Sequence, residues 1–110
     1  MYEDAQKNDI KIRKIKPITH ELKTWPEFFQ DVWDGRKTFE IREDDRDYCV
    51  GDLLVLKEWD PARKCFTGSA VCVKVRYVFR GHDYPGFGLV PGYCILGISR
   101  LLTTDGGPIP

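Results

Sequence analysis

Residues Gly51–Phe79 read GDLLVLKEWDPARKCFTGSAVCVKVRYVF, two apolar runs separated by a polar stretch. The first, Leu53–Trp59, follows Gly51-Asp52 and stops at Asp60-Pro61, a pair that punctuates turns. The second, Ala70–Phe79, alternates β-branched and polar residues, the pattern of a strand with one covered face. Together they predict a central strand and its hairpin partner, joined by a loop over 60–69 that includes Gly68. A chain whose strongest signal is this hairpin is mainly β.

Working outward, Tyr93–Ser99 (YCILGIS) supplies another strand. Between it and the hairpin, Gly81–Gly92 is rich in glycine, proline and aromatic residues, and fits neither a helical nor a strand period. Upstream, alternation predicts a first strand over 16–23, with Pro17 placing its start at a sheet edge. Thr24-x-x-Glu27 then reads as a capping box with Pro26 in the first turn, so a short helix is expected over 25–34, ended by Gly35. Its Trp25, Phe28, Phe29, Val32 and Trp33 are expected to pack. From Thr38 to Arg42, polar Thr38, Glu40 and Arg42 alternate with apolar Phe39 and Ile41, predicting a strand with its apolar face in the core and its polar face displayed. One helix and about five strands joined mostly by short turns imply a mainly β, α+β domain: a small, mainly antiparallel barrel or half-barrel with the helix over one opening.

The 110 residues, 42% of them apolar, suit one compact domain over 10–102, with flexible ends at 1–9 and 103–110. Seventeen Lys and Arg balance seventeen Asp and Glu, which argues against a protein that grips nucleic acid through a broad phosphate-neutralising surface. The balance is a cancellation between cationic flanks and an acidic centre around Glu43–Asp47. No apolar stretch reaches bilayer length and no signal peptide opens the chain, so the cytosol is the expected compartment and no membrane partner is expected. Cys49, Cys65, Cys72 and Cys94 lack metal-ligand spacing and there are two histidines; free, mostly buried thiols are expected, with a Cys65–Cys72 staple as the alternative. Neither metal nor cofactor is expected.

The candidate site is Asp34–Glu43 (DGRKTFEIRE), which places a helix end, a glycine turn and a strand within ten residues. Glu40 and Arg42 share a strand face and Lys37 stands at its mouth, so a planar polar ligand would meet two cations and one carboxylate. A surface ion pair is the bland alternative.

Gly35-Arg-Lys-Thr-Phe-Glu-Ile-Arg42 resembles the Gly-x-Lys-x-x-Glu-x-Arg signature of ASCH domains, in the PUA-like superfamily. His20-Glu-Leu-Lys, Trp25-Pro-Glu-Phe-Phe, Asp45-Arg-Asp, Val50-Gly-Asp, Leu56-Lys-Glu-Trp-Asp, Thr67-Gly and Tyr93-Cys-Ile-Leu resemble one ASCH-like branch of bacterial and phage domains of unknown function. The resemblance implies a PUA-like β-barrel whose cleft, beside helix and signature strand, suits RNA or a modified nucleoside held by Lys37, Glu40 and Arg42. Some small ASCH proteins hydrolyse acyl groups from modified cytidine with the signature lysine and a threonine three residues later. Here that position is Glu40, while Thr38 lies next to Lys37. A hydrolase would therefore use Lys37 and Glu40 as an acid/base pair. A protein-interaction module is the remaining alternative.

Further residues carry two readings each. His20 is a hydrogen-bonded core-edge residue or lines the cleft. Asp45 and Arg46 order a turn or extend the cleft. Glu58 and Trp59 end the central strand, where the indole caps the core or stacks on a base. Tyr84 and Phe87, in the glycine-rich loop, are a candidate base-stacking pair. Lys11–Lys16 is a phosphate track or a solvated edge.

Overall fold

The computed structural model describes residues 16–101, so the two terminal segments and all but the last residue of the Lys11–Lys16 track lie outside the described residues. Five strands and one helix follow one another as β1 (Thr19–Thr24), α1 (Pro26–Trp33), β2 (Phe39–Glu43), β3 (Leu53–Asp60), β4 (Cys65–Arg80) and β5 (Tyr93–Arg100). The strands form one curled sheet in the order β1-β3-β4-β5-β2, a half-barrel with β1 and β2 as its edges.

The centre of this sheet is the hairpin expected from residues 51–79, with Leu54 opposite Val73 and Leu56 opposite Val71. Leu54, Leu56, Val71, Val73 and Val75 are buried, joined by Cys94, Leu96 and Ile98 from β5. The hairpin turn is shorter than expected, spanning 61–64 rather than 60–69. Asp60 makes it so: its carboxylate accepts the N–H groups of Ala62 and Arg63, and its carbonyl accepts that of Lys64. Chain symmetry is then broken at a bulge between Lys57 and Trp59. There Thr67 donates its hydroxyl to Glu58 at 2.7 Å, and Gly68 adopts a positive φ of 99°.

The mainly antiparallel expectation needs one amendment, because β1 runs parallel to β3, with Thr19 beside Leu53 and Thr24 beside Glu58. Alternation along β1 buries His20, Leu22 and Thr24. Ile18 shares their parity but lies before the strand and is 42% exposed. Asp52 anchors this edge, accepting the Ile18 N–H at 3.1 Å and the Cys49 N–H at 3.0 Å, with His20 Nε2 at 2.9 Å.

The expected capping box does not form. The residue preceding α1 is Trp25, which makes no side-chain cap, and the Thr24 hydroxyl instead accepts a hydrogen bond from Arg42 at 3.1 Å. Gly35, at φ 82°, does end the helix as expected, donating its N–H to Val32. Nor does the whole aromatic set pack. Phe29 and Val32 are buried, whereas Trp25, Phe28 and Trp33 are 51%, 47% and 43% exposed. A helix of eight residues has room for one covered stripe.

The strongest departure is in β2. Glu40 is 3% exposed, while Phe39 and Ile41 are 43% and 53% exposed, the reverse of the expected orientation. Register explains it: Glu40 lies opposite Leu96 and Arg42 opposite Cys94, on the concave face, whereas Ile41 lies opposite Ile95 on the convex one. The signature's charged residues therefore point into the half-barrel.

The four thiols are free, but Cys94 alone is buried and Cys65 is exposed. Cys65 and Cys72 stand on the same strand, roughly 23 Å apart along extended backbone, too far to pair.

Candidate functional site

The sheet's two edges, β1 and β2, meet at a seam, and the side chains that bridge it form the site. Glu40, buried at the centre, receives Lys37 Nζ on Oε2 at 2.7 Å. Its Oε1 receives Arg42 Nε at 2.9 Å and Nη2 at 2.7 Å. Arg42 Nη2 reaches on to the Thr24 hydroxyl, so the guanidinium ties β2 to β1 across the gap. This is why Thr24 does not cap the helix.

Lys37 is aimed by the helix end, where both it and Arg36 donate their N–H groups to the Asp31 carbonyl at 3.0 Å. Its ammonium also donates to the Phe39 carbonyl at 2.6 Å and lies 4.9 Å from the Phe39 ring. Lys37 and Arg42 are 16% and 21% exposed against 3% for Glu40. The carboxylate thus holds two cations whose remaining donors reach the solvent.

A cleft of about 460 Å³ opens over this triad, walled by Trp25 and Phe28 of the helix side and by Phe39 and Ile41 of the β2 edge. Two of the three half-exposed aromatics that helical spacing assigned to the core, Trp25 and Phe28, are among its walls. A second cleft of about 490 Å³ adjoins it, sharing Lys23 and Arg42, and takes in Asp45, Arg46, Tyr48 and Lys57. Arg80 holds the 44–48 segment there, donating to the Asp44 carboxylate and the Tyr48 carbonyl. Arg46 donates to the Glu21 carbonyl of the β1 edge at 3.2 Å.

The structure therefore brings together Lys37, Glu40 and Arg42, with Asp45 and Arg46 in the neighbouring cleft. His20 is apart from both. It is 7% exposed, bonded to Asp52 and 4.8 Å from the Tyr48 ring, a core-edge position. Glu58 faces away, toward a hollow beside Phe29 and Trp33. Trp59 lines neither cleft; it packs edge-on against Phe66 and carries Lys23 Nζ 3.9 Å above its ring. Tyr84 and Phe87 cluster with Phe79, at 5.1 and 6.1 Å, and line neither cleft. Thr38 lines a separate hollow of about 170 Å³ with Val32 and Ile98.

Sequence reasoning passed over Tyr48, Lys23 and Lys57. Tyr48 is 1% exposed, and burial pushes its phenol up to about 12, with Arg46 opposing and Asp45 reinforcing the shift. A tyrosine in a turn between charged residues has no period to mark it. Lys23 and Lys57 become neighbours only through the parallel β1–β3 register. Among the described residues no cluster of His, Cys, Asp and Glu could hold a metal ion, and no helix is long and apolar enough to cross a membrane.

The chain is 39% identical over 56 residues to "Uncharacterized 12.9 kDa protein in GpA 3'region" of Escherichia phage P2. That alignment covers 51% of this chain and 50% of the phage protein, so the match spans about half the length of that relative. Residues 19–98, from the start of β1 into β5, match the family model described as "Domain of unknown function (DUF3850)". The chain belongs to that family.

Proposed function

We propose that this domain recognises RNA or a modified nucleoside in the seam cleft, reading single-stranded or nucleoside-sized ligands rather than a duplex groove. The observation that carries the proposal is the inverted β2 strand, which turns Glu40 and Arg42 inward beneath half-exposed aromatic walls. Stabilising a buried carboxylate between two cations is an expensive way to hold a fold together, since apolar residues of similar volume usually do as well. It is an effective way to present fixed donors to a planar polar ligand. Trp25 and Phe28 add faces on which a base can stack. The resemblance of Gly35–Arg42 to the ASCH signature supports the same ligand class and a PUA-like relationship.

Direct titration tests this reading, using short single-stranded RNAs and a panel of plain and acylated nucleosides. Lys37→Ala, Glu40→Gln and Arg42→Ala are expected to weaken binding at least tenfold, with weak dependence on salt because few phosphates are neutralised. Binding unchanged in all three variants would remove the cleft from consideration. The 2.7 Å contact of Lys37 with Glu40 also favours, second, a nucleoside-directed hydrolase, in which the pair moves the proton. Turnover of an acylated nucleoside that disappears in Lys37→Ala would establish it.

A further inference from the structure

Resting on the reading that a nucleoside occupies the cleft over Glu40, we propose that the adjoining cleft is a phosphate subsite, so that the ligand is a nucleotide rather than a free nucleoside. The two clefts share Lys23 and Arg42, which places a base-sized and a phosphate-sized group on either side of one guanidinium.

Three observations carry the assignment. First, the second cleft is lined by Lys23, Arg42, Arg46 and Lys57 against Glu21, Glu43 and Asp45, and the ion pairs of Arg46 and Lys57 are loose. Arg46 stands 3.9 Å from Asp45, with side chains 45% and 59% exposed. Lys57 stands 3.2 Å from Glu21, with side chains 40% and 66% exposed. Exposed pairs of this kind contribute little, so both cations can turn to a stronger anion. Second, Lys23 has no carboxylate partner among the described residues and rests on the Trp59 ring, leaving its ammonium free to donate.

Third, Tyr48 lines this cleft although it is 1% exposed. Its hydroxyl is engaged by no hydrogen bond among the described residues, so it is open to a partner in the cleft it lines. Burial pushes its pKa up to about 12, which keeps the proton on the oxygen and the group able to donate. A phosphate oxygen supplies an acceptor, and charge-assisted bonds of this type are the strong ones. A free nucleoside over Glu40 would leave this donor set unused.

The test compares the four common ribonucleosides with their 5′- and 3′-monophosphates, titrated calorimetrically into the wild-type protein, Tyr48→Phe and Arg46→Ala. One monophosphate series is expected to bind at least about tenfold tighter than its parent nucleosides. Tyr48→Phe and Arg46→Ala are each expected to remove most of that gain while leaving nucleoside affinity unchanged. Which series gains identifies the side of the sugar that faces the second cleft. Nucleoside binding with no gain from either phosphate, or a gain that survives both substitutions, would overturn the subsite and leave the nucleoside reading standing. Binding of neither nucleosides nor nucleotides would overturn both.

Discussion

Glu40 and Asp52 are both almost fully buried carboxylates, 3% and 1% exposed, yet they are built for different ends. Asp52 is surrounded by the chain itself, holding the Ile18 and Cys49 N–H groups and the His20 ring, and so fixes the β1 edge to the start of β3. Glu40 is held by side chains, Lys37 and Arg42, which remain partly exposed at the mouth of a cleft. Backbone donors cannot turn toward a ligand, whereas ammonium and guanidinium groups can. The partner type, rather than the burial, separates a carboxylate that closes a fold from one that opens a site.

The comparison is most exposed to failure at Asp52. Asp52→Ala takes the acceptor from the Ile18 and Cys49 N–H groups and from the buried His20 ring, on two segments, and is expected to cost about 3–5 kcal/mol in urea unfolding. Glu40→Gln is expected to cost about 1–2 kcal/mol in the same experiment, because Lys37 and Arg42 can rehydrate, and to have its larger effect on ligand affinity. Equal stability losses would erase the distinction.

Tyr48 touches both regions, with its ring against His20 and its side chain lining the second cleft. Below pH 10 its phenol keeps its proton in both folded and unfolded states. Between pH 10 and about 12 the unfolded phenol ionises first. Stability therefore falls as pH rises through that window, by on the order of 2 kcal/mol, and levels off once the folded phenol also ionises. Tyr48→Phe is expected to lose that part of the slope in chemical unfolding measured at successive alkaline pH values. The smallest effect is expected from Thr24→Val, about 1 kcal/mol or less by thermal unfolding. It removes the seam hydrogen bond from Arg42 and leaves the Glu40 ion pairs in place.

Much of the architecture was legible because it depends on local signals. The 53–59 and 70–79 runs and the helix end at Gly35 all act within a few residues of themselves. The inverted β2 strand was not legible, since alternation reveals two faces but not which one the curvature of the sheet encloses. Apolar Phe39 and Ile41 made the wrong face the natural choice. The capping box failed for a related reason. Thr24 had a second suitor, Arg42, that sequence spacing cannot bring near. The pairing of β1 with β3 was equally hidden, because a parallel neighbour is set by a crossover rather than a turn. Lys37, Glu40 and Arg42 were found together because they are close in sequence. Tyr48, Lys23 and Lys57 are gathered only by the tertiary register.

Gly81 marks where the irregular 81–92 segment folds back on itself, as a Cβ there would stand 2.6 Å from the Val90 carbonyl oxygen. That segment packs its aromatics on one another and on Phe79 of β4, with Tyr84 and Phe87 5.6 Å apart. Exposed aromatic rings therefore occur both there and in the seam cleft, but those of the cleft stand over the Lys37, Glu40 and Arg42 side chains.

The strand order also sets a sequence of events in time. The β3–β4 hairpin closes over a four-residue turn and β5 adds to it antiparallel, whereas β1 and β2 reach their places only by long-range pairing at opposite edges. Loop-closure entropy delays such contacts. The seam, made where those late edges meet, is thus expected to assemble after the rate-limiting barrier, so substitutions in it should speed unfolding and leave the refolding rate nearly untouched.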